Sequence, residues 1–201
     1  MLDPHDVLDA ERQLLQLALE DGPYDGVLGY SQGATFAAQT VIRHAIENPG
    51  STSQEMPFRF AIFFNGATPS SIFEMSEKAM PICVENEPEA IQFYKTMKAN
   101  PLLHTTKLFP AQLPSGRKIL TDGELGMMKC DAALDSTLIK IPTLHIRCPT
   151  DREEYGQELY RLCEPTVRQQ YFHSHKHDFP RGYDEMRHIA RFIRSTAELS
   201  I

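Results

Sequence analysis

Hydrophobic positions follow two rhythms along this chain. At the start Val7, Leu8, Leu14, Leu15 and Ala18 recur at helical spacing, with Asp3-Pro4 as cap and first-turn proline and Gly22-Pro23 as the stop. Residues 24–30 read as a short strand, and residues 32–47 as an Ala-rich helix closed by Asn48-Pro49-Gly50. Residues 58–64 form a near-continuous apolar run, the signature of a strand buried on both faces, ended by Asn65-Gly66. Residues 138–147 read the same way, with Pro142 near the entry. Residues 167–172 are a more polar strand, as at a sheet edge, and helical patterns cover about 154–163 and 183–196. Strand and helix alternate, so the expected class is α/β: a mostly parallel sheet with helices on both faces.

The stretch from about 70 to 135 breaks this rhythm. It carries Pro81, Pro88, Pro101, Pro110 and Pro114, scattered Met and Phe, and the polar loop Ser115-Gly116-Arg117. It is too long for one crossover helix. An insertion or lid within a single domain spanning 1–201 is one expectation; an irregular connection with short helices is the other.

Composition narrows the function classes. With 41% hydrophobic and 23% charged residues, the 201-residue chain reads as an ordinary globular domain with a real core. A net charge of -7, mixed along the sequence, argues against nucleic acid or an anionic membrane as partner, since both reward clustered Lys and Arg. Cys83, Cys130, Cys148 and Cys163 form no C-x-x-C pair and no Cys/His ligand spacing, so buried free thiols in a reducing compartment are expected, and no metal. The start has no basic region followed by an apolar run, and no stretch reaches transmembrane length; a cytoplasmic location is the default expectation.

The candidate chemistry centres on Gly29-Tyr30-Ser31-Gln32-Gly33, a G-x-S-x-G between a strand pattern and a helix pattern. Such a turn exposes a serine hydroxyl, with small residues relieving the crowding around it. A serine needs a base to take its proton, and an acid to hold that base in the correct tautomer. On this kind of scaffold the chain order is serine, acid, histidine. Asp151 follows the 138–147 strand, and His173, His175 and His177 follow the last strand, both at carboxyl ends where α/β proteins place their sites. Asp122, Asp131 and Asp135 compete with Asp151 but lie in the irregular stretch, and Asp151 also reads as a helix cap. Of the three histidines, His177 sits furthest into its loop. The backbone N–H of Gln32, at a helix N-terminus, is the candidate oxyanion donor.

The segment 22–34 closely resembles the nucleophile segment of the fungal serine hydrolase (FSH) family, a branch of the α/β-hydrolases. Residues 60–66 resemble the family's next strand. Ile141-Pro142-Thr143-Leu144-His145-Ile146 followed by Asp151 resembles its acid strand and loop. Residues 173–180 are similar to its histidine loop, in which a histidine stands three residues before a proline. The resemblance implies Ser31, Asp151 and His177 as the catalytic residues and no cofactor. It implies a carboxylic esterase or thioesterase acting on a small-molecule or carrier-bound acyl group. It also suggests release or trimming of a chain held on a polyketide synthase in secondary-metabolite biosynthesis. Two departures stand out. Where the family has a glycine pair before the histidine, this chain has His175 and Lys176. The family's first strand and its His-Gly loop, a second source of oxyanion N–H, would precede Met1, so the chain reads as N-terminally truncated. An incomplete reading frame, a shortened paralogue acting as a binding or scaffold protein, and a partner that completes the sheet follow as explanations, in that order.

Overall fold

The computed structural model describes residues 3–22, 24–52, 55–76, 80–84, 88 and 108–200. Pro101 and nearly all of the stretch 85–107 lie outside these residues. The chain divides into two compact units: Glu11–Pro69 with Cys130–Ile201, and Met1–Ala10 with Ser70–Lys129.

The larger unit is the expected parallel sheet. Its strands are β1 (Gly26–Tyr30), β2 (Phe60–Phe64), β8 (Thr143–Arg147) and β9 (Arg168–Phe172), in the spatial order β1-β2-β8-β9, each pair parallel. Alternation along β2 sends Ala61 and Phe63 to one core and Ile62 and Phe64 to another. Helix α2 (Gln32–Glu47) fills the first core with Ala34, Ala37, Ala38, Val41 and Ile42, joined by Leu159 from α4 (Glu153–Arg161). Helix α5 (Tyr183–Glu198) closes the second with Ile189 against Leu144 and Ile146. Each fully buried Val, Leu, Ile or Phe side chain among them contributes about 1.5–3 kcal/mol relative to exposure. The polar strand β9 is the outer neighbour of β8, as its sequence predicts, and β1 is the outer strand at the other side among the described residues.

Helix α1 (Pro4–Glu20) starts where Asp3-Pro4 predicts: the Asp3 carboxylate accepts the His5 backbone N–H at 2.9 Å. Further along, Glu11 is buried at 1% exposure and ties α1 to α2. One of its oxygens accepts from the Arg43 guanidinium and the other from Gln39 at 3.0 Å, so the buried charge is both paired and hydrogen-bonded.

Two details differ from the sequence reading. The strand expected over 138–147 starts only at Thr143, because Pro142 has no N–H for the ladder; before it, Ile139 makes a lone parallel bridge to Cys163. Not every cysteine is buried: Cys130, Cys148 and Cys163 are, but Cys83 is exposed on a two-residue strand too short to cover it, and all four are free.

The smaller unit holds an antiparallel sheet in the order β3-β7-β6-β5-β4, from β3 (Ser70–Glu74), β4 (Ile82–Cys83), β5 (Phe109–Gln112), β6 (Lys118–Thr121) and β7 (Leu125–Lys129). Ile72, Leu120, Leu125 and Met127 form its core with Val7, Leu8 and Leu108. Asp122 and Gly123 make the β6–β7 turn: Gly123 takes φ 100°, and the Asp122 carboxylate accepts the N–H groups of Glu124 and Leu125, each at 2.8 Å. Pro110 is tolerated within β5 because β4 pairs with Ala111 and Gln112, and among the described residues no ladder partner faces Pro110 on that side. The sequence offers an insertion or lid here, or an irregular connection with short helices, and neither reading includes an antiparallel sheet. Strands of two to five residues separated by polar turns show too little alternation to be recognised. A four-residue helix, α3 (Ala132–Asp135), follows in the larger unit, capped by Asp131.

Candidate active site

Three ladder ends aim three loops at one place. Beyond β1, the Ser31 N–H donates to the Phe64 carbonyl at 2.7 Å. Beyond β2, the Asn65 N–H donates to Ile146 at 2.8 Å; beyond β9, the His173 N–H donates to Arg147 at 3.1 Å. Each bond extends a parallel pairing by one residue past its strand, so the carboxyl-end loops leave in fixed directions.

Ser31 stands between β1 and α2 with φ 52° and ψ -118°, a strained conformation for a residue with a side chain. The strain is held by the packing of α2 on the sheet. A Cβ at Gly29 would lie 2.5 Å from the Ala34 backbone, so only glycine fits there. Gly33 is different: a Cβ there would meet nothing within 4 Å. The sequence reading gave both glycines the same role, but only Gly29 relieves crowding.

The structure brings Ser31, His177 and Asp151 together. Ser31 Oγ lies 2.7 Å from His177 Nε2, and His177 Nδ1 lies 2.5 Å from Asp151 Oδ2. The side chain of Asp151 is 18% exposed and that of His177 40%. Gln32 opens α2 directly after the serine, where N–H groups have no partner inside the helix. Asp151 does not cap α4; that position belongs to Arg152, in a left-handed conformation with φ 49°. The competing acids are occupied elsewhere. Asp131 caps α3, Asp135 accepts the Asp131 N–H at 2.8 Å, and Asp122 shapes the β6–β7 turn.

The other two histidines are engaged away from the serine. His175 Nε2 lies 2.6 Å from Glu185 Oε2. His173 is buried, and burial pulls its pKa below the ordinary value. Its Nδ1 accepts the His175 backbone N–H at 3.2 Å, so the ring proton sits on Nε2 and is donated to Asn65 Oδ1 at 3.0 Å. The Asn65 amide in turn donates to the carbonyls of His177 at 3.2 Å and Asp178 at 3.4 Å. The Tyr30 hydroxyl donates to the same His177 carbonyl, and Phe179 stacks on Phe64 with centroids 4.3 Å apart. The loop that carries His177 is thus pinned from β1, β2 and β9. Lys176, at one of the family's glycine positions, takes the left-handed φ of 55° that glycine would adopt freely.

Asn65 was read from sequence only as a strand terminator, and Arg147 only as the end of a strand. The available signal was position: both stand at carboxyl ends of parallel strands. A cavity of about 330 Å³ opens beside the serine, lined among others by Ser31, Asn65, Arg147, Asp151, Glu153 and His177. Among the described residues no cluster of His, Cys, Asp and Glu could hold a metal ion, and no helix is long and apolar enough to cross a membrane.

The family described as Serine hydrolase (FSH1) matches residues 5–189. The chain is 27% identical to Hydrolase FUB4 of Fusarium oxysporum f. sp. lycopersici over 203 residues, covering 96% of this chain and 74% of that protein. It is 29% identical to Esterase FPY3 of Fusarium mangiferae over 176 residues, 87% of this chain and 57% of that one. It is 25% identical to Serine hydrolase cnsH of Penicillium expansum over 210 residues, 94% and 84% of the two chains. A parallel sheet covered on both faces, a strained serine between strand and helix, and an acid and a histidine on later strand ends make this an α/β-hydrolase fold. With nearly its whole length matched, the chain belongs to the FSH1 serine hydrolase family.

Proposed function

We propose that this chain hydrolyses a carboxylic ester or thioester, with Ser31 as nucleophile, His177 as general base and acid, and Asp151 as the group that orients the imidazole. The observation that carries this reading is the unbroken line from Ser31 Oγ to His177 Nε2 and from His177 Nδ1 to Asp151 Oδ2. In the first half-reaction Oγ attacks the acyl carbon while Nε2 takes its proton. Asp151 stabilises the imidazolium that results. The negative charge on the tetrahedral oxygen is met by the Gln32 N–H at the start of α2. Collapse expels the alcohol or thiol, which leaves with the proton from His177. Water then attacks the acyl-serine, His177 takes its proton, and the carboxylic acid departs as Ser31 recovers its own. The family resemblance extends this to an acyl chain of polyketide type, free or held on a carrier.

A fluorophosphonate probe tests the assignment. Wild-type protein is expected to be labelled and Ser31→Ala is not. Labelling that persists in Ser31→Ala removes Ser31 as nucleophile. A panel of acyl esters, acyl thioesters and amides then separates substrate classes, with esters or thioesters expected to be turned over and amides not.

A further inference from the structure

We infer that the cavity beside Ser31 is built for a substrate bearing a carboxylate in addition to its ester or thioester, and that the guanidinium of Arg147 receives that carboxylate. The inference rests on the reading of Ser31 as nucleophile and adds the substrate's charge to it.

Arg147 ends β8, lines the cavity and is 6% exposed. Burial pulls its pKa down, though guanidinium remains charged at any ordinary pH. A buried cation normally has a carboxylate on it. Arg147 instead has two neutral amides: its Nη2 donates to Gln157 Oε1 and to Gln170 Oε1, the latter at 3.0 Å. The rest of the group packs on aromatic faces, 4.9 Å from the Phe172 centroid and 5.8 Å from that of Tyr160. Both Nε and Nη1 are buried with no hydrogen-bond partner among the described residues. Buried donors of this kind are uncommon in native proteins and point to a missing partner.

The surroundings fit an incoming anion. Gly156 lines the same cavity, and a Cβ there would lie at contact distance from Gly66 O (3.4 Å), Arg147 Cδ (3.5 Å) and Nη1 (4.0 Å), so the absent side chain leaves one wall of the guanidinium site thin. Of the two acids on the cavity wall, Asp151 is engaged with His177. Glu153 attracts Arg147 through space without a hydrogen bond between them. Arg152 adds a second positive charge to the wall. At about 330 Å³ the cavity has room for a short acyl group with a terminal carboxylate.

The test compares kcat/KM for 4-nitrophenyl butyrate, which is neutral, with 4-nitrophenyl hemiglutarate, which carries a carboxylate on the acyl side. The ester 5-butyryloxy-2-nitrobenzoate carries it on the leaving group and identifies the side that Arg147 reads. Wild type is expected to favour a carboxylate-bearing ester by about 10- to 100-fold, the range for a charge-assisted contact to a desolvated guanidinium. In Arg147→Gln that preference should fall to near unity, and in Arg147→Lys most of it should remain. The readout is a ratio, so a general loss of folded enzyme divides out. Binding gives a readout that needs no turnover and no variant: free glutarate should raise the melting temperature of wild-type protein and block its fluorophosphonate labelling. No anionic preference together with no effect of glutarate overturns the inference, as does a preference that survives Arg147→Gln. Ser31-dependent labelling and hydrolysis of the neutral ester stand or fall separately, so failure here leaves the hydrolase reading intact.

Discussion

In the parallel sheet, β8 buries all five of its residues; in the antiparallel sheet, β4 exposes both of its own. The first sheet has helices on both faces, so its inner strands can carry hardly any polar residue without a partner. Chemistry is displaced to the strand ends, where Ser31, Asn65, Arg147 and His173 leave the ladder. The second sheet is made of short strands whose polar turns close locally, as Asp122 and Gly123 do between β6 and β7. Every residue lining the cavity belongs to the parallel-sheet unit. The lesson is that a sheet with no tolerance inside makes its ends rigid, and rigid ends are where reacting groups can be held.

The sharpest way to break that contrast is at a strand end. Asp151→Asn keeps the shape but removes the charge that, on the proposed assignment, fixes the His177 tautomer. It should lower kcat by about 10³- to 10⁴-fold with little change in melting temperature. Steady-state kinetics showing less than a tenfold loss would remove Asp151 from its role.

Inside the sheets the contrast becomes one of stability. Ile146 is fully buried, so Ile146→Ala should cost about 3–4 kcal/mol in a urea melt. Ile82, on β4, is 59% exposed, and Ile82→Ala should stay within about 0.5 kcal/mol. Equal costs at the two sites would erase the distinction between the sheets.

The pH dependence comes from the interior of β8. His145 is buried between Phe63 and Tyr160, and burial, helped by the charges of Arg147 and Arg168, lowers its pKa from 6.5 to about 3. The folded protein therefore holds His145 neutral where the unfolded chain would bind a proton. Its contribution is fully present above about pH 6.5 and is lost as pH falls from there toward 3. The slope is at most about 1.4 kcal/mol per pH unit. Urea melts of wild type and His145→Gln across that range should diverge, the variant being flatter; parallel curves would show that His145 does not titrate as its burial requires.

The smallest expected effect is on the support of the histidine loop. Asn65→Ala removes the link between His173 and the carbonyls of His177 and Asp178. We expect kcat to drop about 10-fold with KM little changed, as for a modest misplacement of a reacting group. Conservative His173→Gln, which keeps a donor toward Asn65, should lower kcat less than Asn65→Ala does. A change in KM alone would indicate that Asn65 acts on binding.

The parallel sheet was legible because burial on both faces imposes apolar runs, as at 58–64, and because caps and breakers mark the helices, as Asp3-Pro4 and Asn48-Pro49-Gly50 do. The antiparallel sheet was not, because β3 pairs with β7 and β4 with β5 across long stretches of chain, and the local hairpins of β5, β6 and β7 are too short to show alternation. The start of β8 was missed for a simpler reason: apolar character continues through 138–142, but Pro142 cannot donate to the ladder.

At the site, Ser31, Asp151 and His177 could be picked out because each is a reactive residue type in an ordered motif on a strand end. Asn65 and His173 could not. An asparagine after a strand reads as a stop signal, and a histidine in a cluster of three reads as one candidate among several. Their roles arise from hydrogen bonds between β2 and the loop after β9, which no local pattern encodes.

By itself the sequence determined the alternation of buried strands and helices, the strained Gly29–Ser31 turn and the order of serine, acid and histidine, because each is set by spacing, side-chain size or backbone freedom within a few residues. The tertiary structure alone decided that His173 and His175 turn to Asn65 and Glu185, that Gly33 is not a packing requirement, and that Arg147 is buried at the cavity wall with two donors unpaired among the described residues. Those facts depend on where distant strands end relative to one another, and that is fixed only when the sheet closes its ladders.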